Sequence, residues 1–461
     1  DAIITAWDRT GPACSTAALT SAAGFVALGV ADFQGFSQLG LVLGSGLVLC
    51  LVTMLVCLPV MLAWLERDPP LLLGQQAVHT QTSSSSYRLA PAGLMVFVLI
   101  TAFVGASRLP EIAFEYDISA TRGDGLAYDE LNEEERALVR DSYAPIIVSY
   151  DTNAQLTSAQ RRVDAEIAEG ALPHVARSVS VNNLLPPDQE RRLTELAGIS
   201  ELLKNPDMRY VHAQAPQLIE KLLVLRDFEP TPLVRSDIPE GLLALFGAAE
   251  GKQRLLLFPT GNMWDMRQAA ALGEELERAV PGRPIASEQL VLASLFGLVR
   301  RDMPVVGILA LLLVCVLTAI DLRKVPRILG ACGALLAGMI WAGAAIESMG
   351  IKLSMLNVVG IPILLGIGVD VIIHLIHRLA EEGPGGVRRA LRTTGVAALL
   401  SALTTILSFS SLWLASNRGV RSLGSLIVIG LSIIVLATAI VLPLAWAAGW
   451  RITKKAPGQD L

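Results

Sequence analysis

The sequence predicts a polytopic α-helical membrane protein that carries one polar α+β domain between its membrane helices. Three observations predict this fold class. The 461 residues are 52% hydrophobic and only 17% charged, whereas soluble proteins are about 25% charged. The apolar residues collect in blocks of about 20, the helix length that crosses a hydrocarbon core of about 30 Å. The polar residues instead concentrate in one long stretch, residues 108–300.

Eight apolar blocks are long enough to be membrane helices. They cover residues 13–31, 39–64, 89–107, 303–320, 327–346, 353–376, 395–415 and 422–448. We therefore expect six regions along the chain. These are two membrane helices in 1–64, a cytoplasmic linker at 65–88, a third helix at 89–107, the polar domain at 108–300, five helices in 301–450 and a cytoplasmic tail at 451–461. The linker contains the low-complexity run HTQTSSSS, which predicts a flexible joint.

Strand-like and helix-like patterns alternate within the polar domain. The runs APIIVSY and RLLLF are short, apolar and bounded by polar residues, and they predict strands. The runs SAQRRVDAEIAEG and MRQAAALGEELERAV have apolar residues at helical spacing and predict amphipathic helices. A strand followed by a helix and a further strand predicts α+β units of the split βαβ kind.

The distribution of Lys and Arg predicts the orientation in the membrane. About a dozen lie in the linker, in the loops after Ile320 and Ile376 and in the tail, while Lys352, Arg418 and Arg421 lie in the opposite short loops. Because cytoplasmic loops carry the excess of basic residues, the first set is predicted to be cytoplasmic. The 108–300 domain is then extracytoplasmic, and for an inner (cytoplasmic) membrane this means the periplasm.

An internal repeat relates the two ends of the chain. When residue n is aligned with residue n+384 without gaps, about 54 residues can be compared, and Thr20 pairs with Thr404, Gly35 with Gly419 and Pro59 with Pro443. Glycines and prolines in register are harder to match by chance than leucines. The alignment predicts a duplicated transporter of the parallel-repeat type, of which we expect this chain to be the C-terminal part, without most of the first repeat.

Other chemistry is sparse in the sequence. The net charge of −5 predicts no nucleic-acid partner. All five cysteines lie in apolar blocks, so packed thiols are expected rather than disulfides. The sequence has no phosphate-binding loop, His-Glu-x2-His motif or paired Cys-x2-Cys motif. We therefore expect no cofactor, no metal and no enzymatic activity.

The candidate site lies in the run GIGVDVIIHLIHR, residues 366–378. A charge at the centre of a membrane helix costs about 2.5–3.5 kcal/mol on insertion scales, and such residues normally face the bundle interior. Asp370, His374 and His377 are spaced i, i+4 and i+7, so they share one helical face and form a candidate proton relay. The alternatives are a structural polar contact for Asp370, a packed or hydrogen-bonded ring for His374 and an interfacial residue for His377.

Two further groups of residues belong to this prediction. Gly366 and Gly368 have no side chains and are expected to let a neighbouring helix approach Asp370 closely. The block 395–415 carries a hydroxyl-rich patch from which Thr404 or Ser408 is expected to face Asp370 and help a proton on or off. The alternative is that these hydroxyls bond back to their own helix.

Three stretches taken together resemble the RND superfamily, in particular its MMPL and Patched-like branch. They are NVVGIPILLGIGVDVIIHLIHRLAEE, ALRTTGVAALLSALTTILSFSSL and GVRSLGSLIVIGL. The resemblance covers nearly the whole chain and implies an RND-type bundle, helices five to twelve of twelve, with residues 108–300 as a porter-like domain. In such proteins a mid-membrane acidic residue carries the protons that drive export, and the motif match places this role on Asp370.

The resemblance implies export of lipids or other hydrophobic molecules driven by the proton-motive force. The polar domain is too small to add the docking subdomain of drug-efflux pumps, which favours lipid handling over a tripartite pump. Two alternatives use the same helices: a lipid- or sterol-sensing receptor module, and a protein-export accessory of the SecDF type. The expected partners are a lipid substrate, protons, membrane lipids, the first half of the transporter and, as an open possibility, further copies of itself.

Overall fold

The computed structural model describes residues 2–65, 91–121, 143–186, 188–204, 231–247, 251–383 and 386–453. The predicted linker at 65–88 lies outside the described residues except for residue 65, and so does the predicted tail beyond residue 453. In chain order the elements are α1 (Ala2–Val26), α2 (Gln34–Leu65), α3 (Pro91–Arg108), β1 (Ile146–Tyr150), α4 (Asn153–Ala168), β2 (Val175–Val179), α5 (Gln189–Lys204), α6 (Glu240–Leu245), β3 (Gln253–Pro259), α7 (Met266–Ala279), β4 (Ile285–Ala286), α8 (Glu288–Leu322), α9 (Val325–Ser348), α10 (Gly360–Glu382), α11 (Val387–Ala390), α12 (Val396–Ser410) and α13 (Arg418–Thr453).

Eight helices in the described part of the chain are long and apolar enough to cross a membrane. They correspond to the eight predicted blocks: α1, α2, α3, α8, α9, α10, the pair α11–α12 and α13. In the pair, five residues of π-helix, Leu391–Gly395, join α11 to α12. The prediction of a multi-pass helical membrane protein is therefore confirmed.

Helix α8 begins much earlier than the apolar block that predicted it. It runs from Glu288, whereas the block begins at 303. Buried residues at helical spacing, Ala293, Phe296 and Val299, continue the helix on the N-terminal side of the block. The chain divides into two compact units, residues 1–130 with 294–461 and residues 131–293, so the border lies inside this helix and slightly before the predicted position at 300.

The unit formed by residues 1–130 and 294–461 contains the predicted membrane helices, and we call it the membrane unit. Of these helices, α10 is the most enclosed. It is apolar on nearly all sides and packs against α1, α9, α12 and α13, as expected for a helix at the centre of a bundle. By contrast, α2, α3 and α12 expose most of their apolar surface. The residues of the candidate site are thus carried on the central helix of the unit.

The unit formed by residues 131–293 contains a four-stranded antiparallel sheet with strand order β2-β3-β1-β4. The predicted strands form its central pair, in which Ile146 lies opposite Leu257 and Val148 opposite Leu255, all four buried. The predicted amphipathic helices are α4 and α7. Apart from α5 and α6, which lie between β2 and β3 in the chain, the order of elements is βαββαβ. In the sheet β3 lies between β1 and β2, which is consistent with split βαβ units.

The backbones of α1 and α10 come close together at one point of the membrane unit, where two glycines face the other helix. A Cβ atom added to Gly24 would lie 2.9 Å from the Cα of Gly366, and one added to Gly366 would lie 3.0 Å from the backbone oxygen of Ser21. Small residues permit such contacts between membrane helices. Gly368 faces a different neighbour, since its Cβ would lie 3.0 Å from Ile434 on α13.

This contact makes a prediction about stability. In Gly366→Ala the new methyl group meets backbone, which cannot rotate away, so α1 and α10 must separate by a few tenths of an ångström. Overpacking of this kind costs about 1–3 kcal/mol, and we expect a lower midpoint of thermal unfolding in detergent. The matched control is Gly333→Ala on α9, whose Cβ would meet no atom within 4 Å. Equal destabilisation of the two variants would contradict the contact.

Candidate functional site

The carboxyl group of Asp370 lies at the contact between α10 and α1. Ser21 Oγ is 2.7 Å from Asp370 Oδ1 and 2.7 Å from the carbonyl oxygen of Gly366. Ser21 is buried, and Asp370 is partly buried. The approach of Gly24 to Gly366 brings the two helix backbones together and so places a short serine side chain within reach of the carboxyl group.

One hydroxyl between two oxygens can serve both protonation states of Asp370. A serine hydroxyl has one proton to donate and two lone pairs to accept with. When Asp370 is ionised, Ser21 donates its proton to Oδ1. When Asp370 is protonated, the carboxyl proton is donated to Ser21 Oγ, and the serine proton turns to the Gly366 carbonyl. The site therefore keeps its hydrogen bonds in both states, with no movement larger than rotation of a hydroxyl.

His377, near the C-terminal end of α10, is part of a polar cluster with Asp321 and Thr16. Its Nε2 lies 2.5 Å from Asp321 Oδ2 on α8, and Thr16 Oγ1 on α1 donates a hydrogen bond to Asp321 Oδ1 at 3.0 Å. The Asp321 side chain is 13% exposed and the His377 side chain is 32% exposed. This cluster joins three membrane helices, α1, α8 and α10, near the C-terminal ends of α8 and α10.

His374 lies between the two clusters, one helical turn from each. It is partly buried, and within the described residues no hydrogen bond to it is present. From Asp370 to His377 the helix rises by about 10 Å, at 1.5 Å per residue. The three predicted residues therefore form one stripe along α10. We call the Asp370 end, where Ser21 lies, its upper end, and the His377 end, where Asp321 and Thr16 lie, its lower end.

The structure does not bring Thr404 and Ser408 to Asp370. Thr404 Oγ1 donates to the carbonyl of Ser401 at 2.7 Å, and Ser408 Oγ donates to the carbonyl of Thr404 at 2.8 Å. Both side chains are exposed. This is the alternative arrangement, in which helical hydroxyls bond back to their own helix. The hydroxyl that reaches Asp370 comes instead from α1.

Sequence reasoning missed Ser21, Asp321 and Thr16. For Ser21 a signal existed, because the repeat aligns ALTS at 18–21 with ALTT at 402–405, which puts Ser21 in register with Thr405. Asp321 stands at the edge of an apolar block beside Arg323 and Lys324, where a solvated interfacial charge is the ordinary expectation. No pattern within one helix indicates that it faces His377.

The chain is similar in sequence to a known protein family and to curated members of it. The model of the MMPL family matches residues 1–85 and 253–457, more than half of the chain. The hopanoid transporter HpnN of Rhodopseudomonas palustris is 22% identical over 505 aligned positions, which cover 93% of this chain and 55% of HpnN. The hopanoid transporter HpnN of Burkholderia multivorans is 22% identical over 516 positions, which cover 96% of this chain and 56% of that protein.

The chain thus spans about half the length of the curated relatives that it matches. Among solved structures, SecDF from Thermus thermophilus, a translocon-associated membrane protein, is similar with a TM-score of 0.51. The sequences are 13% identical, and the match covers 98% of this chain and 50% of that chain. At this identity the likeness concerns the fold alone. The resemblance read from residues 357–431 is confirmed by the family model, and the chain belongs to the MMPL family of the RND superfamily.

Proposed function

We propose that this chain is part of a secondary transporter that moves lipids or other hydrophobic molecules out of the membrane and is driven by protons that pass through Asp370. The observation that carries the proposal is the Ser21–Asp370 pair at the contact between α1 and α10. An ionisable side chain on the most enclosed membrane helix is expected to be functional. The two relatives named as hopanoid transporters support a lipid as the cargo.

Protonation of Asp370 gives the site two states of different charge, and the Ser21 hydroxyl can hydrogen-bond to the carboxyl group in both. A proton on Asp370 neutralises the carboxyl group and removes the penalty for its enclosure, whereas release of the proton leaves a charge that favours water or a new donor. The resulting preference for different packing around α10 is the step that couples the proton to movement of the bundle. Each proton that crosses the membrane supplies about 2.3 kcal/mol per 100 mV.

The lower end of the stripe provides a path for the proton. His377, held by Asp321, and His374 stand in line below Asp370 on α10. An imidazole ring can accept a proton at one nitrogen and release one from the other, which suits a relay. By the distribution of Lys and Arg, this end of α10 is on the cytoplasmic side, so we propose that the proton leaves Asp370 toward the cytoplasm through the two histidines.

With the same orientation, we propose that the unit of residues 131–293 lies on the periplasmic side of an inner membrane. There it is proposed to act as the porter-like domain that handles the cargo. The repeat supports an upstream first half as the structural partner of this chain. In that assembly the exposed hydroxyl face of α12, which includes Thr404 and Ser408, faces the helix of the first repeat that corresponds to α10.

Two rival functions are separated by simple assays. A lipid- or sterol-sensing module does not carry protons, so proton flux in liposomes distinguishes it from a transporter. A protein-export accessory moves a polypeptide, so the cargo bound by the 131–293 unit distinguishes it from a lipid exporter. The fold likeness to SecDF does not favour the second rival, since it extends to the fold alone.

Asp370→Asn tests the proton-carrying role. Asparagine keeps the shape of the side chain and can still bond to Ser21, but it cannot ionise. In the full-length protein we expect this variant to be expressed and folded normally. It should show no export when a proton gradient is imposed. Asp370→Glu, which keeps the ionisable group, should retain part of the activity. Wild-type export by Asp370→Asn would refute the proposal and leave a structural polar contact as the role of Asp370.

Ser21→Ala tests the hydroxyl. Loss of a hydrogen bond to a charged group costs about 1.5 kcal/mol, so we expect export to fall about tenfold at a fixed gradient. The matched control is Thr20→Val, because the neighbouring Thr20 hydroxyl donates only to carbonyls of its own helix, those of Thr16 and Ala17, both at 2.8 Å. Thr20→Val should export at close to the wild-type rate, and a similar loss in both variants would argue for a packing effect.

Asp321→Asn tests the lower end of the relay. The amide oxygen can still accept from Thr16, but the charge that faces His377 is lost, and we expect export to slow several-fold. Glu381→Gln is the matched control, since it removes one negative charge from the same end of α10 in an exposed pair with Arg378. Unchanged export in Asp321→Asn, or an equal loss in Glu381→Gln, would remove Asp321 from the proton path.

A further inference from the structure

A cavity of about 420 Å³ opens at the end of the bundle where α8 passes into α9. Its wall is apolar, with Gly330, Ile376 and Leu442 among the residues that line it, and its rim carries Lys324 and Arg327. The cavity is bordered by α9, α10 and α13. It lies apart from Ser21 and Asp370, which do not line it.

A second apolar cavity of about 530 Å³ continues the first between α3, α9 and α13. The two cavities share Val325, Pro326, Gly330 and Ala445 as lining residues. Along α9 the lining extends from Val325 to Ile340, a rise of about 22 Å at 1.5 Å per residue. One leaflet of the hydrocarbon core is about 15 Å deep, so the groove is long enough for an acyl chain.

The rim is positively charged and has no counter-charge of its own in the described part of the chain. Neither Lys324 nor Arg327 forms an ion pair there. The carboxylates of Glu381 and Glu382 at the end of α10 are paired with Arg378 and Arg389. Arg327 lies over the ring of Trp446, 5.6 Å from its centroid. The N-terminus of α9, which begins at this rim, adds the partial positive charge of a helix end.

One buried donor on the cavity wall also lacks a partner. The Nε1–H of Trp446 is inaccessible to solvent and forms no hydrogen bond within the described residues. A buried donor without an acceptor is costly. Because solvent does not reach this nitrogen, a ligand oxygen in the cavity does not reach it either, and the polar contacts of the site come from the two cations. The site thus offers two cations at the mouth of a long apolar groove.

We propose that this groove binds an anionic phospholipid of the surrounding bilayer, with its phosphate at Lys324 and Arg327 and an acyl chain along α9. Basic pockets between membrane helices bind lipid headgroups in this way. The groove opens sideways to lipid, since Leu99, Val325 and Leu329 beside it are exposed. The proposal goes beyond the proposed function, because the lipid is a resident ligand rather than the cargo.

The test uses the full chain reconstituted in phosphatidylcholine vesicles that contain a small fraction of acyl-brominated lipid, which quenches nearby tryptophans. We expect brominated phosphatidylglycerol to quench at about 30-fold lower mole fraction than brominated phosphatidylcholine, the preference that two basic side chains near a membrane surface provide. The preference should disappear in the double variant Lys324→Gln, Arg327→Gln. In Trp446→Phe the high-affinity part of the quenching should be lost, which assigns the signal to this site.

The matched control is the double variant Arg323→Gln, Arg388→Gln. It removes two exposed positive charges from the same end of the bundle, and neither residue lines the cavity. It should keep the preference for phosphatidylglycerol. An equal loss in the control would show general surface attraction and overturn the proposal, as would an unchanged preference in the Lys324, Arg327 variant.

Two further experiments distinguish binding of a whole lipid from binding of its phosphate group alone. Gly333→Leu places a side chain in the second cavity, at a position where a Cβ meets nothing within 4 Å. It should weaken quenching by phosphatidylglycerol while both cations remain. Inorganic phosphate should not compete. Displacement by phosphate alone, or full affinity in Gly333→Leu, would show that the groove does not hold an acyl chain and would refute the proposal.

Discussion

The arrangement of the membrane unit depends on the contact between two glycines, Gly24 on α1 and Gly366 on α10. A methyl group on either would collide with backbone of the other helix. The hydroxyl of Ser21 is one turn from Gly24, and it reaches Asp370 only because the helices touch there. A carboxyl group on the most enclosed helix of the unit thereby gains a hydrogen-bond partner that needs little space, and the charge is held at the centre of a packed bundle.

The same contact makes α1 part of both clusters along α10. Ser21 reaches Asp370, and Thr16, five residues earlier on α1, reaches Asp321, which in turn holds His377. A change in the spacing of α1 and α10 would therefore alter both the Ser21–Asp370 hydrogen bond and the Thr16–Asp321 hydrogen bond. We infer that protonation at Asp370 and the Asp321–His377 pair are mechanically linked through one helix, in addition to any path for the proton itself.

The parts of this structure that the sequence predicts are those with a signal inside one segment. Apolar length locates the membrane helices, alternation locates β1 and β3, and an isolated Asp370 in an apolar block marks the site. Contacts between segments leave no such signal, since Ser21 and Asp370 are 349 positions apart and Thr16 and Asp321 are 305 apart. The assignment of Thr404 and Ser408 failed for a further reason. A hydroxyl on a membrane helix can satisfy itself with a carbonyl three or four residues back, so its presence does not show which way it faces.

The repeat explains why the hydroxyl comes from α1 rather than α12. The alignment makes α1 and α12 equivalent helices of the two repeats, with Ser21 in register with Thr405. In this structure the first-repeat helix α1 serves the carboxyl group of the second repeat, on α10. In the duplicated transporter that we propose, symmetry would place the second-repeat helix α12 beside the corresponding position of the first repeat. We infer that the exposed hydroxyl face of α12 is not a lipid-facing surface in the duplicated transporter, and that hydroxyls from each repeat stand beside the ionisable residue of the other. Two proton sites related in this way would share their supporting helices, so a change at one would alter the packing of the other.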